Sequence, residues 1–307
     1  MCAGYCPWVT VKLLSCAFLR RTLNTEFRKN GMYCKPPPDS CPSYNAWLKD
    51  ELPLTLSPTR KIPTELLPNF TLNSLITVNY NVGFQYFNYS GPGLNWSINF
   101  VDTYRNQVKR RQPFGTYETT ALYPVLETYS EVAVHNKNCA VIGSQYPWIE
   151  AALLEFAAAT VTTIEYNRII TDVPNLFTIT PGVFAAAQQK DAASGNLKLF
   201  DSVWCYSTLE HDGLGRYTDP INPYGDFQTM TKISCMLKPG GILFLAVPIN
   251  KYDAIHFNLH RVYGPIRLPI LYRYFHLVQV FGEGFPLNSN DHTWQPILVL
   301  QNKIGCK

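Results

Sequence analysis

The chain has 307 residues, 46% of them hydrophobic and 16% charged, with a formal net charge of +4. That is ample apolar material for a sizeable core, in a chain longer than one typical domain. The basic residues are scattered, and the single dense run, Lys109-Arg110-Arg111, reads as a solvated linker face, which argues against a nucleic-acid footprint.

The first apolar stretch runs from Pro7 to Leu19, broken by Lys12, and is about a dozen residues long where a membrane span needs roughly 20. Arg20, Arg21, Arg28 and Lys29 follow it, whereas a signal peptide carries its positive charges in front. An amphipathic segment is expected here, with no membrane span, and a degenerate signal or anchor is the alternative. Of nine cysteines, five (Cys2, Cys6, Cys16, Cys34 and Cys41) lie before residue 42 without a C-x-x-C pair, so no metal site is expected. The others are Cys139, Cys205, Cys235 and Cys306, and three of them sit in or beside apolar segments that predict buried, reduced thiols. N-glycosylation sequons begin at Asn69, Asn88 and Asn95, a pattern that also arises by chance in an Asn-rich stretch. The expected compartment is the cytoplasm, with the secretory pathway left open by those sequons. Pro53, Pro58, Pro63, Pro68 and the run after Lys35 cut helical periods short, so residues 1–112 read as an irregular, loop-rich N-terminal extension. Leu75 to Tyr80 and Phe84 to Tyr89 lean towards strand.

After Pro113 apolar strands alternate with helices, the pattern of an α/β domain with a mostly parallel, doubly wound sheet over residues 113–307. A helix is predicted from Tyr117 to Val132, then a strand from Cys139 to Ile142 and a turn at Gly143. A helix from Pro147 to Ala159 and a strand from Val161 to Glu165 follow. Further strands are expected at Leu176 to Thr180 and Lys198 to Tyr206. A helix over Asp226 to Met236 should end at a Leu237-Lys-Pro-Gly-Gly turn that feeds a buried strand, Ile242 to Val247. Phe275 to Phe281 and Trp294 to Gln301 should pair as an antiparallel ribbon at the sheet edge.

The strand-turn-helix unit brings Gly143 to the carboxyl end of a strand, where open α/β sheets bind ligands, and Glu165 follows 22 positions later. That spacing suits a carboxylate accepting hydrogen bonds from ribose hydroxyls. The turn keeps the first glycine of G-x-G-x-x-G but has Gln145 and Trp148 at the second and third, which obstructs a diphosphate and disfavours NAD and FAD. No G-x-S-x-G elbow and no phosphate loop occur. His256 and His260 have the i, i+4 spacing of one helix face, but Phe257 stands where a zinc protease has its glutamate, so metal is not expected.

Phe200-Asp201, Leu209-Glu210-His211, Leu237-Lys-Pro-Gly-Gly and Val247-Pro248 together resemble the second half of small-molecule class I S-adenosylmethionine-dependent methyltransferases. Val141-Ile-Gly-Ser with Pro147-Trp-Ile-Glu150, Thr163-Ile-Glu-Tyr-Asn167, Glu210-His-Asp-Gly-Leu-Gly-Arg-Tyr217, Asp219-Pro-Ile-Asn-Pro-Tyr-Gly-Asp226 and His260-Arg-Val-Tyr-Gly-Pro-Ile-Arg267 resemble, more narrowly, a nematode-rich family of unknown function related to those enzymes. The likeness covers roughly residues 114–285. It implies a Rossmann-like, class I methyltransferase-like fold, with Gly143, Ser144, Glu165 and Tyr166 at the cofactor and Glu210 and His211 beside the sulfonium and acceptor. His211 is the candidate base, because imidazole titrates near neutrality. Asp212, Arg216, Tyr217, His260 and Arg261 are candidate contacts for a small-molecule or glycan-like acceptor. The glycine-poor turn leaves a second reading open, a non-catalytic Rossmann-like binding or scaffold module.

Overall fold

The computed structural model describes residues 59–87, 93–114, 121–217, 219–282 and 294–303, all within the compact unit Ser40–Lys307. The apolar run at Pro7 to Leu19, the five early cysteines, Cys306 and the Asn88 sequon lie outside them.

Before residue 115 the chain forms helix α1 (Leu67–Phe70), strands β1 (Thr77–Asn79) and β2 (Leu94–Trp96), and helix α2 (Ile98–Lys109). The composition gave no hint of α2. Its start is fixed by Ser97, whose side chain accepts from the Phe100 amide at 3.3 Å, and it buries Val101 and Val108. Lys109 reaches Glu155 at 3.7 Å and Arg111 pairs with Glu127 at 2.5 Å, so the basic run closes a packed helix and is not a bare linker face.

Next come α3 (Leu122–Ala133), β3 (Asn138–Ile142), α4 (Trp148–Glu155), β4 (Thr160–Ile164), the short β5 (Ile169–Thr171), β6 (Leu176–Ile179) and α5 (Pro181–Ala193). They lead to β7 (Phe200–Tyr206), a 3-10 turn at Leu209–His211, α6 (Gly225–Met236) and β8 (Leu237–Ala246). The last elements are β9 (Ala254–His256), β10 (His260–Val262), α7 (Arg267–Leu271), β11 (Phe275–Phe281) and β12 (Ile297–Asn302).

Seven strands make the main sheet in the order β6-β4-β3-β7-β8-β12-β11. All neighbours among β6, β4, β3, β7 and β8 are parallel, and β12 runs antiparallel between β8 and β11. The fold is a Rossmann-like α/β arrangement with a mostly parallel, doubly wound sheet. Strand β3 is apolar through Cys139-Ala-Val-Ile and buried over those residues, as a central parallel strand must be when both faces are covered. The chain leaves β3 towards β4 and β6, then returns to β7 and β8 on its other side. Right-handed crossovers therefore place α4 opposite α5 and α6, and the order reverses between β3 and β7. There the carboxyl ends of neighbouring strands splay and leave a crevice.

Two smaller sheets frame that end. β1 pairs in parallel with β9, which pairs antiparallel with β10, and β2 pairs in parallel with β5. His256 and His260 thus face each other across a two-strand ribbon, with ring centroids 5.1 Å apart, and do not share a helix face. The Lys238-Pro-Gly-Gly segment is not a separate turn: β8 begins at Leu237 and carries it as an irregularity, with Gly240 at φ +73° where a side chain would strain the backbone. Cys139 and Cys205 are free and buried as expected, but Cys235 is disulfide-bonded. Among the described residues no helix is long and apolar enough to cross a membrane.

Candidate functional site

A cavity of about 520 Å³ opens at the reversal between β3 and β7. The turn after β3 supplies Gly143 and Ser144, the end of β4 supplies Glu165 and Tyr166, and the end of β7 supplies Tyr206 to Thr208. Its volume falls within the usual range of small-molecule sites.

Glycine is required at position 143. Its φ is +67°, and a Cβ there would collide with the Thr208 side chain, which itself donates to the Gly143 carbonyl at 3.3 Å. The contact locks the β3 turn against the end of β7. Tyr146 is 58% exposed, and Trp148 sits in the wall with its ring 4.8 Å from Tyr206 and 5.7 Å from Phe114, so neither residue obliterates the space.

Glu165 faces the cavity and is held from within the protein. One oxygen accepts from the Ser144 amide at 2.9 Å, and the other accepts from the Asn167 backbone at 2.9 Å and side chain at 3.0 Å. Burial pushes its carboxyl above the usual range, and those N–H donors oppose the push. Behind Ser144, the fully buried Glu150 accepts from Thr163 at 2.8 Å and from the Ser144 hydroxyl at 3.4 Å, and burial pushes it up to about 7.

His211 lines the cavity with 12% of its side chain exposed. Its Nδ1 lies 2.6 Å from the Leu259 carbonyl, an obligatory acceptor, so the proton sits on Nδ1 and the lone pair on Nε2. Burial and the Arg216 guanidinium lower its pKa to about 3. Glu210 is buried and does not line the cavity. Ser207 donates to one of its oxygens at 2.8 Å, that same oxygen lies 3.7 Å from His211 Nε2, and burial pushes the carboxyl up to about 7.

Of the remaining residues picked from sequence, Asp212 and Tyr217 line the cavity. Arg216 does not; its guanidinium lies over the Phe87 and Tyr217 rings and donates to Leu259 O at 3.2 Å. Arg261 is fully buried beneath the loop, donating to the carbonyls of Asp212 and, at 3.2 Å, Asn222, with its Nε 3.7 Å from Asp226. It cannot touch a ligand from there, so its place is under the site and not in it. His260 likewise does not line the cavity, and burial lowers its pKa to about 4.

Sequence reasoning missed several contributors. Asp219 closes the glycine loop by accepting from the backbone of Gly213 (2.8 Å), Gly215 (2.9 Å) and Tyr217 (3.0 Å), the signal being an acidic residue just after two glycines. Lys232 from α6 and the rings of Tyr104 and Phe114 also reach the cavity, and nothing in their local sequence marks them.

Residues 136–293 match the family described as Caenorhabditis protein of unknown function, DUF268. No curated protein matches the chain. Among solved structures, similarity is found to the 1,6-didemethyltoxoflavin-N1-methyltransferase of Burkholderia thailandensis, solved with bound 1,6-didemethyltoxoflavin and S-adenosylhomocysteine. Identity is 15%, coverage 66% of this chain and 85% of that one, and the TM-score 0.41. The N-methyltransferase NodS of Bradyrhizobium japonicum is similar at 14% identity, 67% of this chain and 97% of that one, with a TM-score of 0.33.

Proposed function

The chain belongs to the DUF268 family, whose match spans just over half of it, and we propose that this member is an S-adenosylmethionine-dependent methyltransferase. The observation that carries the reading is the cavity at the strand-order reversal, with Glu165 turned into it and anchored to the Ser144 amide. The carboxylate oxygen bonded to Ser144 retains a lone pair for one ribose hydroxyl. Tyr166, Pro181 and Phe184 line the same cavity and would flank the base, and no diphosphate has to pass the crowded Gln145-Tyr146 turn. When bound, the cofactor supplies an electrophilic methyl group on a sulfonium.

The chain's own part is to align the acceptor, exclude water and place a proton. His211 offers Nε2 as a hydrogen-bond acceptor in a fixed tautomer, but a pKa near 3 makes it a weak base alone. Glu210, pushed up to about 7 and 3.7 Å from that nitrogen, is the member of the pair able to hold a proton near neutrality. Asp212 and Tyr217 line the cavity and would contact an acceptor of small-molecule or glycan-like kind, while Arg216 and Arg261 hold their loop. A non-catalytic binding module is the second reading, favoured by the Thr208 side chain that fills the open side of Gly143.

Calorimetric titration with S-adenosylhomocysteine tests the proposal. Micromolar binding is expected, weakened in Glu165→Ala by about 1–3 kcal/mol, the worth of a hydrogen bond to a charged group. An intact chain that does not bind it would overturn the enzymatic reading and leave the second.

A further inference from the structure

The sum of charge around the cavity runs against the charge of the chain. The whole sequence carries +4, yet the described residues that line this space include three carboxylates, Glu165, Asp212 and Asp219, against one ammonium, Lys232. His211 is held neutral by burial and its fixed Nδ1–H, and Glu150 adds a fourth carboxyl directly behind Ser144. Arg261 is buried against Asp226, whereas Arg216, over the Phe87 and Tyr217 rings and 3.4 Å from His211 Nδ1, adds a second positive charge at the edge of the lining; the three carboxylates still outnumber Lys232 and Arg216 by one. In a cleft with low-dielectric walls, an excess of carboxylates lowers the free energy of a cation and raises that of an anion.

The other wall is apolar. Tyr104 of α2, Phe114, Trp148 at the start of α4 and Tyr206 at the end of β7 bring four aromatic rings to one side. Consecutive members pack at centroid distances of 6.4, 5.7 and 4.8 Å. Such a wall takes up a hydrocarbon or ring body, and ring faces attract cations as well.

From this juxtaposition we infer that the acceptor is an amphipathic amine, a compact apolar or aromatic body carrying a protonated nitrogen that is drawn to the carboxylate side. This rests on the methyltransferase reading for the word acceptor, and on the cavity alone for the class of ligand. The chemistry balances. The ammonium first gives up one proton, for which the Glu210–His211 pair offers a buried store. The nitrogen lone pair then forms the N–C bond as the sulfonium C–S bond breaks, leaving its electron pair on a neutral thioether. The product nitrogen is again cationic.

Three probes of nearly equal shape isolate the charge: 2-phenylethylamine, 2-phenylethanol and phenylacetate, each titrated into the full chain by calorimetry with and without S-adenosylhomocysteine. The amine should bind at least about tenfold more tightly than the alcohol, and phenylacetate more weakly than either. Asp212→Asn, whose backbone carbonyl still receives Arg261, should shrink the amine preference severalfold. Trp148→Ala should weaken amine and alcohol together and leave their ratio unchanged. Equal binding of the three probes, preference for the carboxylate, or no binding of any would overturn the inference. S-adenosylhomocysteine bound without amine preference refutes the acceptor class and spares the proposed function; amine preference without it does the reverse.

Discussion

Glu150 offers a quantitative test of how the site's floor is built. It is fully buried and accepts from Thr163 at 2.8 Å and from Ser144 at 3.4 Å, and burial raises its carboxyl from 4.5 to about 7. A raised acid favours the folded state while it is protonated. That contribution is complete below about pH 4.5 and is lost as pH climbs through about 7. At about 1.36 kcal/mol per pH unit the full loss exceeds about 3 kcal/mol, most of it between about pH 5 and 8. Glu150→Gln removes the titration, keeps an oxygen for the Thr163 hydroxyl and presents an amide to Ser144. Urea unfolding followed by tryptophan fluorescence at pH 5, 6, 7 and 8 should show variant and parent nearly equal at pH 5. By pH 8 the variant should be more stable by about 2–3 kcal/mol. His211 and His260, whose lowered pKa values cost stability as pH falls below 6.5, act in the opposite direction but cancel in the difference. A difference that stays flat with pH, or grows towards acid, would refute the reasoning.

Gly143→Ala should cost about 2 kcal/mol or more in the same assay, from positive φ and the clash with Thr208, and Thr208→Ala in the same chain should recover part of it. Arg261→Met should destabilise by about 3–5 kcal/mol at neutral pH, because Asp226 loses one of two buried cations. Those cations hold Asp226 below its ordinary pKa, a contribution present above the unfolded value and lost as pH falls, so the cost of Arg261→Met should shrink below about pH 4. Peptide mapping after iodoacetamide should find Cys139 and Cys205 unlabelled in the native chain and labelled after unfolding, since burial pushes Cys139 up to about 12 and Cys205 well above its ordinary value.

The elements legible in the sequence are those whose signal is local. The apolar runs at Cys139 to Ile142 and in β8 announce buried parallel strands, and the 22-residue gap from Gly143 to Glu165 marks the end of the sheet where the cavity opens. Helix α5 escaped notice because its apolar residues do not form one stripe: Phe184 and Ala185 are buried while Val183 between them and Gly182 is 59% exposed. Helix α2 hid among prolines and asparagines and gains its stability by packing on α4, with Arg105 reaching Glu155 at 3.2 Å. At the site, Glu210, His211 and Arg261 were visible as a motif, but whether each side chain faces the cavity or supports it depends on β10 meeting the loop some 50 residues earlier. No local pattern encodes that.

Glu165 shows why such a division of roles must be measured with care. Its carboxylate spends three hydrogen bonds on Ser144 and Asn167, so Glu165→Ala removes a loop anchor together with any ligand contact. Asn167→Ala separates the two. It deletes the side-chain donor at 3.0 Å while leaving both backbone amides and the carboxylate in place, and should relax the loop without touching the oxygen bonded to Ser144. If Glu165 holds a ribose hydroxyl, S-adenosylhomocysteine affinity should fall in Glu165→Ala by about 1–3 kcal/mol and in Asn167→Ala by less than about 0.5 kcal/mol, with comparable losses of unfolding stability in both. Equal losses of affinity would mean that the carboxylate serves the turn alone, and that the ligand, whatever its class, is held by other groups.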